Sequence, residues 1–396
     1  MHVSRLLHGF FKNSLFFIHS KRRQAVMNAV SSLLSGKQLS LTQLGRSMQG
    51  NSKERHCIRK MDRLLGNEKL HMECKYYYEE MSKMTIGHIQ RPIINIDWTI
   101  ISRKHKLSTL RASVAVKGRG VVIYQKTYSS QENSPRAEKA FMQELKEILP
   151  RGCKPIIVTD AGFKCPWFKM IRKIGFDFVG RVRMVAGYQP QDEDKWYKCL
   201  ELYKTATRKA RLIGQVLLTK GHKLDVSLVL FKGPKQNRKH INQSGKPYSS
   251  TEEKRDAQRN REPLLLATSL DTKEYSAKSI VNIYKKRMQI EEEFRDLKSH
   301  RYGFSMEDCN SRTDNRINVL LLIAAIATFG CWLVALAAHR DKVHYDYHAN
   351  SIKNTNVLAI CYLACQMIRR NHFFKKAKLL EALDDLRTMV LEACHV

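Results

Sequence analysis

Three acidic positions in this chain stand where hard oxygen ligands do chemistry. They are Asp97 in "PIINID", Asp160 in "PIIVTD", and one of the glutamates in "YKKRMQIEEEFRDLK", residues 284–298. A short apolar run closed by an aspartate reads as a buried strand that delivers a carboxylate at its end, where open α/β sheets build their sites. Two strand-end aspartates and one helix glutamate suit Mg2+, which keeps several waters and shares phosphate oxygens with its substrate. Two such ions, about 3.5–4 Å apart, activate a nucleophile and stabilise the leaving oxygen in phosphodiester chemistry.

Helical phase selects among the glutamates. At roughly 100° per residue, Arg287, Glu291 and Lys298 fall within about 60° of Tyr284 on one face. Ile283, Ile290, Phe294 and Leu297 form the adjoining apolar seam, which is expected to pack on a sheet. Glu292 and Glu293 are expected to turn away into solvent, which leaves Glu291 as the candidate. A carboxylate at the edge of a core must be paired or bind metal. The structural alternative is a salt-bridged surface in which Arg287 and Lys298 pair with Glu291; Asp97 and Asp160 favour the metal reading. Met288, on the same helix, suits either an apolar wedge between bases or plain packing.

These residues need a frame, and the charge says what the frame holds. Lys and Arg number 70 against 37 acidic residues, a net charge of +33. Such an excess points to a polyanion, nucleic acid first and an anionic membrane face second; a generally basic surface is the bland alternative. Residues 1–88 read as helices. "QAVMNAVSSLLSGKQLSLTQLGRSM" is expected to be one helix, followed after a turn by the basic "KERHCIRKMDRLLGN". The pair suggests a helix-turn-helix reader of DNA, with Lys53, Arg55, Arg59, Lys60 and Arg63 on phosphates or bases. A solvated basic helix is the alternative.

From residue 89 the texture is α/β, in the order β-β-β-α-β-α-β, with a mixed sheet. Gly118–Gly120 should turn between the second and third strands. Ser134 should cap the next helix, with Pro135 at its first position. Residues 183–275 read as a β-rich insertion that contains a polar, basic stretch at 232–262. Helices are expected at 276–298 and 315–338, and a helical tail at 351–396 is a candidate for dimerisation. Val319–Ala338 is twenty apolar residues, long enough to span a bilayer. After 318 largely polar, basic residues, a helix buried in a large core is the expected reading. The ten cysteines are scattered and form no CxxC pair, which fits a reducing cytosol. The N-terminus lacks the pattern of a signal peptide.

The spacing Tyr284-x2-Arg287-x3-Glu291-x6-Lys298 resembles the YREK signature of IS4-family DDE transposases. "INIDWT", "LRASVAV", "VTDAGFKCPW", "VNIYKKRMQIEEEFRDLKS" and "RKMDRLLGN" are similar, in order, to the IS10 group of that family, from about residue 20 to 375. The resemblance implies an RNase H-like catalytic core at 89–350 with the insertion before the catalytic glutamate, and a DNA-end-binding domain at 1–88. It implies Asp97, Asp160 and Glu291 as catalytic metal ligands for two Mg2+ ions, with Mn2+ as a substitute. Tyr284, Arg287 and Lys298 become DNA contacts near a flipped base. The implied partners are the inverted-repeat ends and target DNA, in a homodimeric synaptic complex, without a membrane, in the bacterial cytoplasm at the nucleoid. The implied activity is cut-and-paste transposition through a DNA hairpin. One position departs: the family commonly places a tryptophan under the flipped base, and Leu264 stands at the matching place. An RNase H-like nuclease or resolvase without strand transfer, and an inactive DNA-binding repressor, remain as rivals.

Overall fold

The structure, a computed structural model, describes residues 3–129, 135–234, 262–300, 303–348 and 356–395. The N-terminal region is helical: α1 (Val3–Ser14), α2 (Ser20–Gly36), α3 (Leu41–Arg46), α4 (Glu54–Leu65) and α5 (Glu68–Ile86). The single helix expected over 24–48 is two. Lys37 takes a left-handed conformation (φ 58°) and its N–H closes α2 on the Leu33 carbonyl. Ser40 then caps α3 by accepting from the Gln43 N–H. A side chain at Gly45 of α3 would come within 2.6 Å of the Ile58 backbone on α4, so glycine lets these two helices close on each other. Asn67 caps α5 through the Leu70 N–H.

Strands β1 (Ile93–Ser102), β2 (Leu107–Ala115) and β3 (Gly120–Ser129) follow, then α6 (Pro135–Ile148), β4 (Ile156–Thr159), α7 (Cys165–Lys173) and β5 (Asp177–Val182). This is the β-β-β-α-β-α-β order expected from the sequence. The insertion supplies β6 (Gly187–Pro190), β7 (Tyr197–Lys198), α8 (Cys199–Tyr203), β8 (Arg211–Leu218), β9 (Leu224–Phe231) and β10 (Leu264–Thr268). After it come α9 (Ala277–Lys285), α10 (Met288–Lys298), α11 (Asp314–Arg340), α12 (Ile360–Arg369) and α13 (Lys376–Cys394). Pro135 opens α6 as expected; Ser134 and most of the basic stretch at 232–262 lie outside the described residues.

The chain forms two compact units, Met1–Pro155 with Arg287–His395, and Ile156–Lys286. In the first, β1 and β3 flank β2 in antiparallel pairing. The core helix is α11, where Val319–Ala338 is buried except at the half-buried Thr328 and Leu336. Its neighbours are α2, α5, β3, α12 and α13, which together cover a helix apolar on all sides. In the second unit the strands run in the order β4-β5-β10-β9-β8-β6-β7, with β4 and β5 parallel and the rest antiparallel. The fold is therefore mixed α/β, with parallel and antiparallel ladders and helices at both ends of the chain.

Candidate active site

In the first unit the site is built on rungs of β1 and β2. Asn95 faces Ser113, Asp97 faces Arg111, and Thr99 faces Thr109. Residues two apart in a strand share a sheet face, so these rungs offer one polar ladder to α10. Lys298 Nζ donates to Thr99 Oγ1 at 2.9 Å. Arg287 Nη1 donates to Asp97 Oδ2 at 3.3 Å, and its other terminal nitrogen donates to the Glu291 carboxylate. Asp97 Oδ1 accepts from the Trp98 N–H at 2.9 Å. One guanidinium thus ties the strand aspartate to the helix glutamate. Burial lowers the pKa of the Lys298 ammonium.

Three details differ from the sequence expectation. Asp97 does not close its strand. β1 runs five residues further, because Thr99 and Ile100 are β-branched and keep pairing with β2. The helix expected over 276–298 is broken at Lys286–Arg287, where Lys286 N–H bonds back to Ile283 and Ile290 N–H to Arg287, both at i to i+3 spacing. Glu293, expected in solvent, is buried, while the Glu291 side chain keeps 41% of its exposure. Ser113 and Arg111 supply the reason: Ser113 Oγ donates to Glu293 Oε2 at 2.6 Å and Arg111 Nη1 lies 3.9 Å from it. Burial pushes the Glu293 carboxyl up to about 7, against the downward pull of Arg111 and Ser113. Ile290, Phe294 and Leu297 are buried as the seam requires.

Polar residues that sequence reasoning passed over complete the seat of α10. Gln289 Oε1 accepts from the Val116 N–H at 3.0 Å. Arg119, from the β2–β3 turn, reaches Asp296 at 2.9 Å and Glu292 at 3.4 Å. One signal was legible: Arg111 is the only charged residue from Leu107 to Val116. In a strand buried at all nine positions, such a charge must have a partner.

Asp160 and Tyr284 belong to the second unit. Asp160 follows β4 directly, and its Oδ1 accepts from the Gly162 N–H at 2.8 Å. A Cβ at Gly162 would lie 2.9 Å from that oxygen, so the glycine permits the turn that holds the carboxylate. Tyr284 is buried in the last turn of α9. Leu264 opens β10 opposite Phe231 of β9, and the Lys285 ammonium sits 4.9 Å from the Phe231 ring centre. In the first unit Met288 is 43% exposed beside Arg287. Lys53, just before α4, is exposed, as are Arg55, Arg59, Lys60 and Arg63 within it, while Cys57, Met61, Leu64 and Leu65 face the core. Among the described residues no three His, Cys, Asp or Glu side chains gather into a metal-sized group. Arg287 pairs with Glu291, as the salt-bridged alternative has it, and with Asp97, while Lys298 goes to Thr99 instead; the two carboxylates are also the hard oxygen donors that a divalent cation takes.

A core that brings a strand aspartate and a helix glutamate together, in a strongly basic chain, fits the class of enzymes that act on nucleic-acid phosphates. Residues 88–329 match the family model described as transposase DDE domain, and the chain belongs to that family. No curated protein matches it. Among solved structures it is similar to a piggyBac transposase synaptic complex with hairpin DNA, determined by cryo-EM. That likeness has 12% identity and a TM-score of 0.38, over 97% of this chain and 76% of the other.

Proposed function

We propose that this transposase moves its own element by cut-and-paste transposition and belongs to the IS4 family, in the IS10 group. The observation that carries the reading is the convergence of Asp97 and Glu291 on Arg287 within a DDE-domain chain. Asp97, Asp160 and Glu291 would hold two Mg2+ ions, with Mn2+ as a substitute. Bound there, the ions would activate the attacking oxygen and neutralise charge on the leaving one. Every step is an in-line phosphoryl transfer, so one site serves all of them. Water cleaves one strand at the element end and leaves a 3′-hydroxyl. That hydroxyl attacks the opposite strand to give a hairpin, which water reopens. The 3′ ends then attack target DNA.

Arg287, Lys298, Met288 and Tyr284 serve as contacts to the reacting strand in this reading. Arg287 has a double use, since it can neutralise the carboxylates before DNA arrives and meet a phosphate afterwards. The exposed cations of α4 recognise the inverted-repeat end, two copies of the chain form the synaptic complex, and the work is done at the bacterial nucleoid. The test is incubation of the protein with an end-labelled inverted repeat and Mg2+, followed by a denaturing gel. A hairpin band is the expected result. Cut ends with neither hairpin nor joined products would favour a nuclease, and binding without cutting would favour a repressor.

A further inference from the structure

Glu293 sits two residues from Glu291 and is 8% exposed. Its Oε2 is held by Ser113 at 2.6 Å, with Arg111 at 3.9 Å. Its Oε1 is buried, has no hydrogen-bond partner, and lies over Gly120, where a Cβ would stand 2.0 Å away. The glycine is therefore a recess for this carboxylate. Arg111, itself 3% exposed, lies 4.5 Å from the Phe294 ring centre and donates to Gln125 Oε1 at 2.9 Å. Gln125 in turn donates to the Tyr78 hydroxyl and the Leu321 carbonyl, at 3.1 and 3.0 Å. A buried polar chain thus runs from α10 through β2 and β3 to α5 and α11.

Such a chain is weak evidence for stability, because apolar residues of the same shape are often as stable as a buried ion pair. What it supplies is direction. Side chains two apart on a helix point about 200° from each other. An inward Glu293 therefore fixes Glu291 on the opposite flank, where Arg287 bonds both to it and to Asp97. We propose that Glu293 is a positioning residue: its bonds to Ser113 and Arg111 set the rotation of α10 and so hold Glu291 beside Asp97. The proposal rests on the reading of Asp97 and Glu291 as the carboxylates that act on DNA.

Two variants test it. Glu293→Gln keeps the size and the Ser113 contact but loses the attraction to Arg111. Arg111→Met combined with Glu293→Met restores an apolar packing without the directional bonds, and keeps the test open where the single variant folds poorly. Each is measured by end binding, by thermal melting, by single-turnover nicking, and by Fe2+ with ascorbate and peroxide, which cuts the backbone next to a bound metal. In the wild type the Fe2+ cuts should fall near residues 97 and 291. In the variants end binding should stay within twofold and nicking should slow at least tenfold. Their cut near 291 should fade or spread along α10. Nicking slowed less than tenfold, or an unchanged cut pattern in a folded variant, would overturn the proposal. A wild type that never nicks would sink the functional reading instead, and the Fe2+ cuts would still decide the role of Glu293.

Discussion

Replacing Glu291 by glutamine separates chemistry from stability, and the structure sets the size of each effect. Glu291 pairs with Arg287 at 41% side-chain exposure, and Arg287 keeps Asp97 as a second partner. A pair of this kind contributes roughly 0–1 kcal/mol, so the variant should lose less than about 1 kcal/mol and melt within about 4 °C of wild type. The chemical loss should be far larger. Removing a group behind a metal ligand typically costs about 10–100-fold, so losing a ligand, the role proposed for Glu291, should cost at least about 1,000-fold, or roughly 4 kcal/mol. The assay is single-turnover nicking of a labelled element end in Mg2+, with end binding followed in Ca2+ to prevent turnover. Binding should be unchanged while nicking disappears. A folded variant that nicks within tenfold of wild type would remove Glu291 from the site.

Three other outcomes follow from separate parts of the molecule. Burial, aided by His344 and His348, pushes the His339 imidazole down to about 4, so the unfolded chain takes the proton first as pH falls below 6.5. Stability should therefore decline from pH 6.5 toward 4, by about 1–2 kcal/mol for a half-buried ring, and His339→Gln should flatten that part of a urea-midpoint series. Charge reversal at Arg59 and Arg63 should weaken end binding and flatten its salt dependence while the circular dichroism melt stays in place; an unchanged footprint would take α4 out of DNA recognition. Leu264→Trp should speed hairpin formation roughly tenfold over first-strand nicking, since aromatic stacking on a flipped base is worth about 1–3 kcal/mol. Equal rates would assign capture to a neighbour such as Phe231, which already faces it across the ladder.

The parts of the fold legible in the sequence are those set by local periodicity. Strands such as Ile156–Thr159 and the uniformly apolar α11 announce themselves through runs of one character. The apolar seam of α10 was legible for the same reason. What local pattern does not carry is the partner across space. Glu293 looks like a solvent-facing acid, no different from Glu292, until Ser113 and Arg111, some 180 residues earlier, take hold of it. The break at Lys286–Arg287 was hidden because both residues are good helix formers, and the departure lies in hydrogen-bond spacing rather than residue type. Asp97 stood out although its strand end was misplaced, since a carboxylate in a buried apolar strand is conspicuous wherever the strand stops.

The discontinuity of the first unit bears on how the protein is made. Its two pieces are separated by residues 156–286, which form a unit of their own. During synthesis at roughly 5–20 residues per second, the N-terminal helices and β1–β3 wait on the order of ten seconds before α10 and α11 emerge. Throughout that interval the surfaces of α2, α5 and β3 that will enclose α11 have nothing to close on, and Arg111 has no carboxylate. The second unit can fold meanwhile. A ribosome that stops between α4 and α10 leaves a chain with the basic α4 but without Glu291 and the rest of α10. The order of the chain thus completes the Asp97–Arg287–Glu291 cluster only after the whole second unit has been made.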